Sequence, residues 1–207
     1  MTTISIIGTG NMGSALADLL SPGATSMQII GRDRAKAQAL AERVKGTAAT
    51  LEDAITGDIV VLALPYPAID EVLDVVGARL AGKTLVDITN PVDFATFNGL
   101  VVPADSSAAA QIAVRVPEAN VLKAFNTSFG GALLARKVAG QDVAVLVAGD
   151  DAEAKSALIE LIDQGGLRGV DAGPLDRARE LEALGFLSIT LAAAGKTGWA
   201  SGFILAP

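Results

Sequence analysis

The stretch Ile4-Ser5-Ile6-Ile7-Gly8-Thr9-Gly10-Asn11-Met12-Gly13-Ser14-Ala15-Leu16 constrains this chain more than any other. It reads as a short β-branched strand, a turn with glycines at three set positions, and the first turn of a helix. Each glycine answers a separate physical demand. Gly8 lets the strand turn sharply, Gly10 lets backbone come within contact distance of a pyrophosphate, and Gly13 lets the new helix lie close on the sheet. Backbone N–H groups and the positive end of the helix dipole then favour phosphate at the helix start. The stretch therefore predicts a dinucleotide-binding strand–turn–helix.

The rest of the chain repeats that alternation. Apolar strands are expected at Met27–Ile30, Asp58–Leu64, Lys83–Ile88, Asn120–Phe125, Asp142–Asp150 and Leu167–Asp171, with a weak one near Thr47–Thr50. Helical spacing is expected over Met12–Leu20, Ala35–Val44, Ala68–Leu80, Ser106–Val116, Gly131–Lys137, Asp151–Asp163 and Leu175–Ala194, with a brief helix at Leu51–Thr56. Strands alternating with helices imply parallel strands and right-handed crossovers. The expected architecture is α/β: a Rossmann-type, doubly wound, mostly parallel sheet with a small C-terminal helical lobe. A division into a dinucleotide-binding domain at 1–138 and a lobe at 139–207 is expected, although no linker marks it. At 51% hydrophobic and 4% aromatic, the composition is rich in small apolar residues, as a sheet covered on both faces requires.

Charge and residue usage narrow the chemistry. A net charge of −7 argues against non-specific nucleic-acid binding and against docking on anionic membranes. The chain has no cysteine and no histidine, which removes thiolate, disulfide and imidazole chemistry and most zinc and haem sites. No residue pattern supplies a general acid or base, so no catalytic side chain and no metal ligand is named; Lys123 reads as structural. The strand starts at once and no apolar run reaches the roughly 18 residues of a membrane span, so a cytoplasmic, membrane-free chain is expected.

The end of the second strand bears on which dinucleotide is bound. Asp33 lies about 20 residues beyond Gly13, where an acidic residue binds the ribose 2′-hydroxyl of NAD. The strand ends at Ile30, however, so the tip position is Gly31, which brings no carboxylate to repel a 2′-phosphate. Arg32 follows directly, with Arg34 and Lys36 close behind. Three cations at a helix N-terminus oppose the helix dipole, and a guanidinium fork suits a phosphate. These residues favour NADP(H) over NAD. The other strand ends carry Leu64-Pro65-Tyr66-Pro67, Thr89-Asn90-Pro91 and Lys123-Ala124-Phe125-Asn126-Thr127. Ligands in open α/β sheets bind at such ends, so Tyr66 is a candidate neighbour of adenine or ribose, and Asn90 or Asn126 of a nicotinamide carboxamide. A hydride passing between two bound rings needs no protein acid, only fixed distance and excluded water.

Taken together, these segments resemble the NADP-dependent reductases of the deazaflavin coenzyme F-420. That family shares a domain with the ferric reductases of the six-transmembrane epithelial antigen group. The likeness runs through Gly8-Thr9-Gly10-Asn11-Met12-Gly13, Gly31-Arg32 with Lys36, Leu64-Pro65-Tyr66 with Ile69, Thr89-Asn90-Pro91 and Lys123-Ala124-Phe125-Asn126-Thr127. It ends at Val170-Asp171-Ala172-Gly173-Pro174-Leu175. The resemblance implies hydride transfer between NADP(H) and coenzyme F-420. It assigns Thr9 to Met12 to the pyrophosphate and nicotinamide side, Arg32 and Lys36 to the 2′-phosphate, and Tyr66 and Ile69 to the dinucleotide groove. Two departures stand out: Gly31 replaces the family's usual serine, and Phe125 stands where archaeal members carry histidine. The Ala-Phe-Asn version is closer to the ferric-reductase branch, so NADPH-dependent flavin/ferric reduction, with FMN or FAD as acceptor and iron reduced downstream, is the alternative activity, and a non-catalytic NADP-binding module a third. The apolar final helix, followed by Trp199 and Phe203, is expected to contribute to a homodimer.

Overall fold

The computed structural model describes residues 2–202 and 204–205, so Phe203 lies outside the described residues. The chain forms β1 (Thr3–Ile7), α1 (Asn11–Leu20), β2 (Ser26–Ile30), α2 (Arg34–Arg43), β3 (Thr47–Ala49), β4 (Ile59–Leu62), α3 (Ile69–Val76) and β5 (Thr84–Asp87). It continues with α4 (Ala108–Arg115), β6 (Asn120–Lys123), α5 (Gly130–Ala135), a small hairpin of β7 (Lys137–Val138) and β8 (Gln141–Asp142), β9 (Ala144–Gly149), α6 (Ala152–Gln164), β10 (Arg168–Gly173) and α7 (Ala178–Ala193). All strands but the hairpin join one sheet of eight, in the order β10-β9-β6-β5-β4-β1-β2-β3. The doubly wound, mostly parallel architecture is the one that the alternation implies.

The central strands are buried on both faces, which is why they read as continuous apolar runs rather than alternating ones. Ile59 to Leu62 of β4 and Ile4 to Ile7 of β1 are all buried. One face of the sheet packs against α1, α2, α5 and α6 through Leu16, Leu40, Leu133 and Leu158. The other packs against α3 and α4, where Ile69, Val72, Leu73 and Val76 recur at helical spacing and meet Ile112 and Val116. Side-chain oxygens of Asp33, Ser107 and Asp151 cap α2, α4 and α6. Helix α1 instead starts on Gly10, without a side-chain cap.

The sheet continues across the expected division at residue 138. β9 pairs antiparallel with β6, Lys123 opposite Ala148, and β10 pairs parallel with β9. These last two strands therefore run against the other six. The Asp171-Ala172-Gly173-Pro174 segment makes the exit from β10: Asp171 accepts from Lys155 Nζ (2.9 Å) and from Gly173 N–H (2.7 Å), and Gly173 takes φ +105°. One expected element is corrected. Leu51–Thr56 is a turn, because the Asp53 carboxylate accepts from both the N–H and the hydroxyl of Thr50 (2.8 and 3.0 Å) and diverts the backbone from a helix. Among the described residues no helix is long and apolar enough to cross a membrane.

Helix α7 is held over the ends of β5 and β6 by a fully buried ion cluster. Lys123 Nζ donates to Asp87 Oδ2 (2.7 Å), to Glu182 Oε1 (2.7 Å) and to the Thr89 carbonyl (2.6 Å). All three charged side chains are 0% exposed. Glu182 in turn accepts from the N–H groups of Ala108 (2.9 Å) and Ala109 (3.3 Å) at the start of α4. The structural reading of Lys123 thus acquires its partners. Burial pushes the Glu182 carboxyl above its ordinary value of 4.5, against the pull of Lys123 and of the Ala108 N–H. Since the folded value is the higher one, this group's contribution to stability is full below the unfolded value and declines as pH rises through the folded value. Lys123→Met leaves two carboxylates buried without their cation and is expected to cost about 3–5 kcal/mol in urea unfolding. In the same assay the stability gap between the wild type and Glu182→Gln should be widest below pH 4.5 and narrow as pH rises; a gap that widens would contradict the cluster's electrostatics.

Candidate functional site

The first chain crossing lies between β1 and β4, because successive units run outward from there in opposite directions, to β2 and β3 on one side and to β5 and β6 on the other. A crevice at such a switch point is the usual ligand position of open α/β sheets. Here it is a cleft of about 330 Å³ lined by the ends of β1, β2 and β4 and by the start of α3. The sheet ladder holds to its very edge: Gly8 N–H donates to the Ile30 carbonyl (2.8 Å) and Ala63 N–H to the Ile7 carbonyl (2.9 Å).

The three glycines of the first turn differ in what they permit. Gly8 takes φ +122°, and a Cβ there would run into the Ala63 carbonyl. A Cβ on Gly13 would run into the Gly8 carbonyl, so this glycine lets α1 sit against the turn. Gly10 has nothing within 4 Å of its would-be Cβ and faces the open cleft. With Gly10 as N-cap and no acidic residue in the first turn, the N-terminal N–H groups of α1 have no side-chain competitor for an anion.

Gly8, Thr9, Gly10, Gly31, Arg32, Lys36, Leu64 and Pro65 all line this one cleft. Gly31 is tightly fitted, since a Cβ there would lie 2.8 Å from Thr9 Cγ2 and 3.4 Å from Ala37 Cβ. Arg32 is exposed and has no side-chain partner among the described residues. Lys36 Nζ lies 3.8 Å from Asp33 Oδ2, with the two side chains 71% and 51% exposed, a pair too solvated to hold the lysine back. Both cations are thus available to an anionic ligand. Asp33 spends its other oxygen on the Lys36 N–H at the helix cap (3.1 Å).

The remaining predicted residues lie elsewhere. Asn11 is exposed at the helix start and Met12 half-buried against α5. Tyr66 and Ile69 line a second cavity of about 220 Å³ beside α4, with Asp70, Gln111 and Arg115. There Tyr66 Oη donates to Gln111 Oε1 (2.6 Å). Burial, with the negative charges of Asp70, Glu182 and Asp87, raises the Tyr66 phenol above its ordinary value and keeps it protonated for that bond. Asn90 and Asn126 pair with one another: Asn90 Nδ2 donates to the Asn126 carbonyl (2.8 Å), and Asn126 Nδ2 donates to Asn90 Oδ1 (2.9 Å) and to the Leu181 carbonyl of α7 (2.8 Å). Pro91, Ala124 and Phe125 are buried, Phe125 completely and in the left-handed region at φ +63°.

Among the lining residues outside the predicted set are Ala63, Ala68, Glu71 and Val72, at the end of β4 and the start of α3. Val72 shares the apolar face of α3, which reads as core, and Glu71 reads as an acidic first-turn residue. Their signal is positional, since the helix that follows β4 must begin over the carboxyl edge of the sheet.

Comparison with known proteins finds likenesses over most of the chain. The family described as NADP oxidoreductase, coenzyme F420-dependent, matches residues 3–91. The chain is similar to the F420-dependent NADP reductase of Methanocaldococcus jannaschii, 32% identical over 201 residues that cover 89% of each protein. It is also similar to the rat metalloreductase STEAP3, 29% identical across 87% of this chain and 36% of that protein's length. Among solved structures, a protein of Arthrobacter sp. FB24 provisionally assigned as an F420-dependent NADP-reductase superposes with a TM-score of 0.86 at 31% identity, covering both chains completely.

Proposed function

The chain belongs to the family of F420-dependent NADP reductases, and we propose that it is an oxidoreductase that transfers hydride between NADP(H) and coenzyme F-420. The observation that carries the reading is the single cleft in which the glycine turn, Gly31, Arg32 and Lys36 meet at the switch point of the sheet. The cradle fits a dinucleotide phosphate: open backbone at Gly10, an uncapped helix start, and two cations one strand away. In this reading the N–H groups from Gly10 to Met12 hold the pyrophosphate. Arg32 and Lys36 hold the 2′-phosphate. Thr9 fixes the floor of the cleft beneath Gly31. The bound nicotinamide supplies or accepts the hydride, and the deazaflavin ring is its partner. The protein contributes placement and exclusion of water rather than a proton, because the ionisable cluster nearest the other strand ends is wholly buried and bonded to itself.

The likeness to a protein named a metalloreductase favours a second reading, NADPH-dependent flavin reduction with iron reduced downstream. Mixing the protein and NADPH with F-420, FMN or FAD in turn, and following absorbance, separates the two. Rapid oxidation with F-420 alone is the expected result; turnover with FMN or FAD only would transfer the assignment to a flavin reductase, and tight binding without turnover to a binding module. Both activities use free small molecules, and the reading places the reaction in the cytoplasm. Arg32→Ala is expected to weaken NADPH by on the order of tenfold or more, the worth of one charge-assisted phosphate contact, and to leave NADH nearly unchanged. Equal losses in titrations with the two cofactors would remove the 2′-phosphate from Arg32.

The reading also includes a homodimer built on α7. Leu187 of α7 is 49% exposed, and Trp199, stacked edge-on against Phe129 at 5.1 Å, is 58% exposed. Large apolar side chains so placed suit a two-fold contact. Light scattering at micromolar concentration should return twice the chain mass, and a monomer mass there counts against the dimer.

A further inference from the structure

We propose that Glu71 is the adenine-selecting residue of the cleft, its carboxylate accepting a hydrogen bond from the 6-amino group of the cofactor's adenine. The proposal rests on the NADP reading above and extends it to a residue outside the phosphate-binding set.

The cleft has two chemically distinct sides. Arg32, Asp33 and Lys36 come from the β2 end and from α2, a helix on one face of the sheet. Leu51, Leu64, Ala68 and Val72 come from the opposite face, where α3 packs, and they give that side an apolar lining. Such a lining suits the faces of a planar, weakly hydrated ring better than it suits a ribose or a phosphate. Glu71 stands at the same place, one residue before Val72 in the first turn of α3.

A carboxylate in a cleft built for an anionic ligand needs a reason. The other one, Asp33, is occupied as the cap of α2 and beside Lys36. Glu71 has no ion-pair or hydrogen-bond partner among the described residues. Being acceptor-only when ionised, it repels phosphate, and its exposed oxygens are open to a ligand donor. The adenine ring carries one exocyclic donor pair, the 6-amino group, at its far end from the ribose and phosphates. The competing donors are the adenosine ribose 3′-hydroxyl, which travels with the 2′-phosphate to the Arg32 side, and the nicotinamide ribose hydroxyls and carboxamide, which lie beyond the pyrophosphate. Glu71 then discriminates in both directions: it accepts from a 6-amino group and repels the 6-carbonyl that replaces it in hypoxanthine.

The test compares NADPH with its hypoxanthine analogue, in which only the 6-amino group is changed, by equilibrium titration of wild type, Glu71→Gln and Glu71→Ala. The wild type should prefer NADPH by on the order of tenfold, the worth of a charge-assisted hydrogen bond. Glu71→Ala should bind the two within about twofold, the interaction being absent, and Glu71→Gln should lie between because its amide can donate to the 6-carbonyl. Glu71 is exposed, so both variants are expected to fold, which thermal unfolding checks. Undiminished preference in folded Glu71→Ala, with NADPH still bound, would overturn the proposal and leave the NADP reading standing. Failure of the wild type to bind NADPH would overturn both.

Discussion

A lysine ammonium with no solvent exposure, locked between two carboxylates of equal burial, is the constraint on which the carboxyl edge of this sheet depends. Moving such charges out of water costs several kcal/mol each, so a cluster of this kind persists only where every lone pair and proton is used. Here the three protons of Lys123 go to Asp87, Glu182 and the Thr89 carbonyl. The cluster carries one carboxylate more than it has cations, and the N-terminus of α4 offsets the excess through the N–H groups of Ala108 and Ala109. Four segments are thereby fixed at one point: β5, β6, α4 and α7. Only one placement of α7 satisfies the cluster, so its contribution is to position as much as to stability.

That placement divides the carboxyl edge in two. Over β5 and β6 the edge is closed, with Asn126 donating to the Leu181 carbonyl and Gly185 lying against Asn90, where a Cβ would collide with Oδ1. Over β1, β2 and β4 it is open, and the cleft is there. Phe125 completes the closure at some cost. A bulky residue at φ +63° is a backbone outlier worth roughly 1–3 kcal/mol of strain, and it is maintained because the ring is wholly buried in the core. The turn it makes delivers Asn126 to α7. The strained residue at this strand end therefore serves the seam between sheet and helix, with its ring turned away from solvent.

What could be read from the sequence was whatever short-range sterics dictate. Gly8 and Gly13 are required by carbonyl groups a few residues or one strand away, and β1 and β4 announce themselves because strands buried on both faces are nearly all apolar, the one buried polar side chain, Ser5, being bonded to Gln28 and to the Gly57 N–H. What could not be read depends on distant partners. Glu182 is an unremarked position on a helical pattern until Lys123, 59 residues earlier, supplies its counter-charge. The Leu51–Thr56 segment carries helix-compatible residues, and a single carboxylate–threonine contact decides against the helix. Tyr66 and Ile69 follow directly on the cleft residues Leu64 and Pro65, yet the tight turn at Tyr66–Ala68 carries both to the neighbouring cavity. Proximity along the chain is a poor guide at strand ends, where one turn redirects each side chain.

The departure at position 31 shows how such couplings bear on specificity. The family resemblance implies a serine there, whose hydroxyl would add a donor toward a 2′-phosphate in the proposed reading. In this protein the serine Cβ alone would lie 2.8 Å from Thr9 Cγ2, inside contact distance. Thr9 thus takes volume that a side chain at 31 would need, so packing couples the two positions. In the proposed NADP reading Gly31 brings no donor and the 2′-phosphate falls to Arg32 and Lys36, both exposed and only loosely engaged by their surroundings. Two exposed cations supply attraction but little geometric selectivity. In that reading discrimination draws on the rest of the cleft, including its apolar side at α3, where Glu71 has no partner among the described residues.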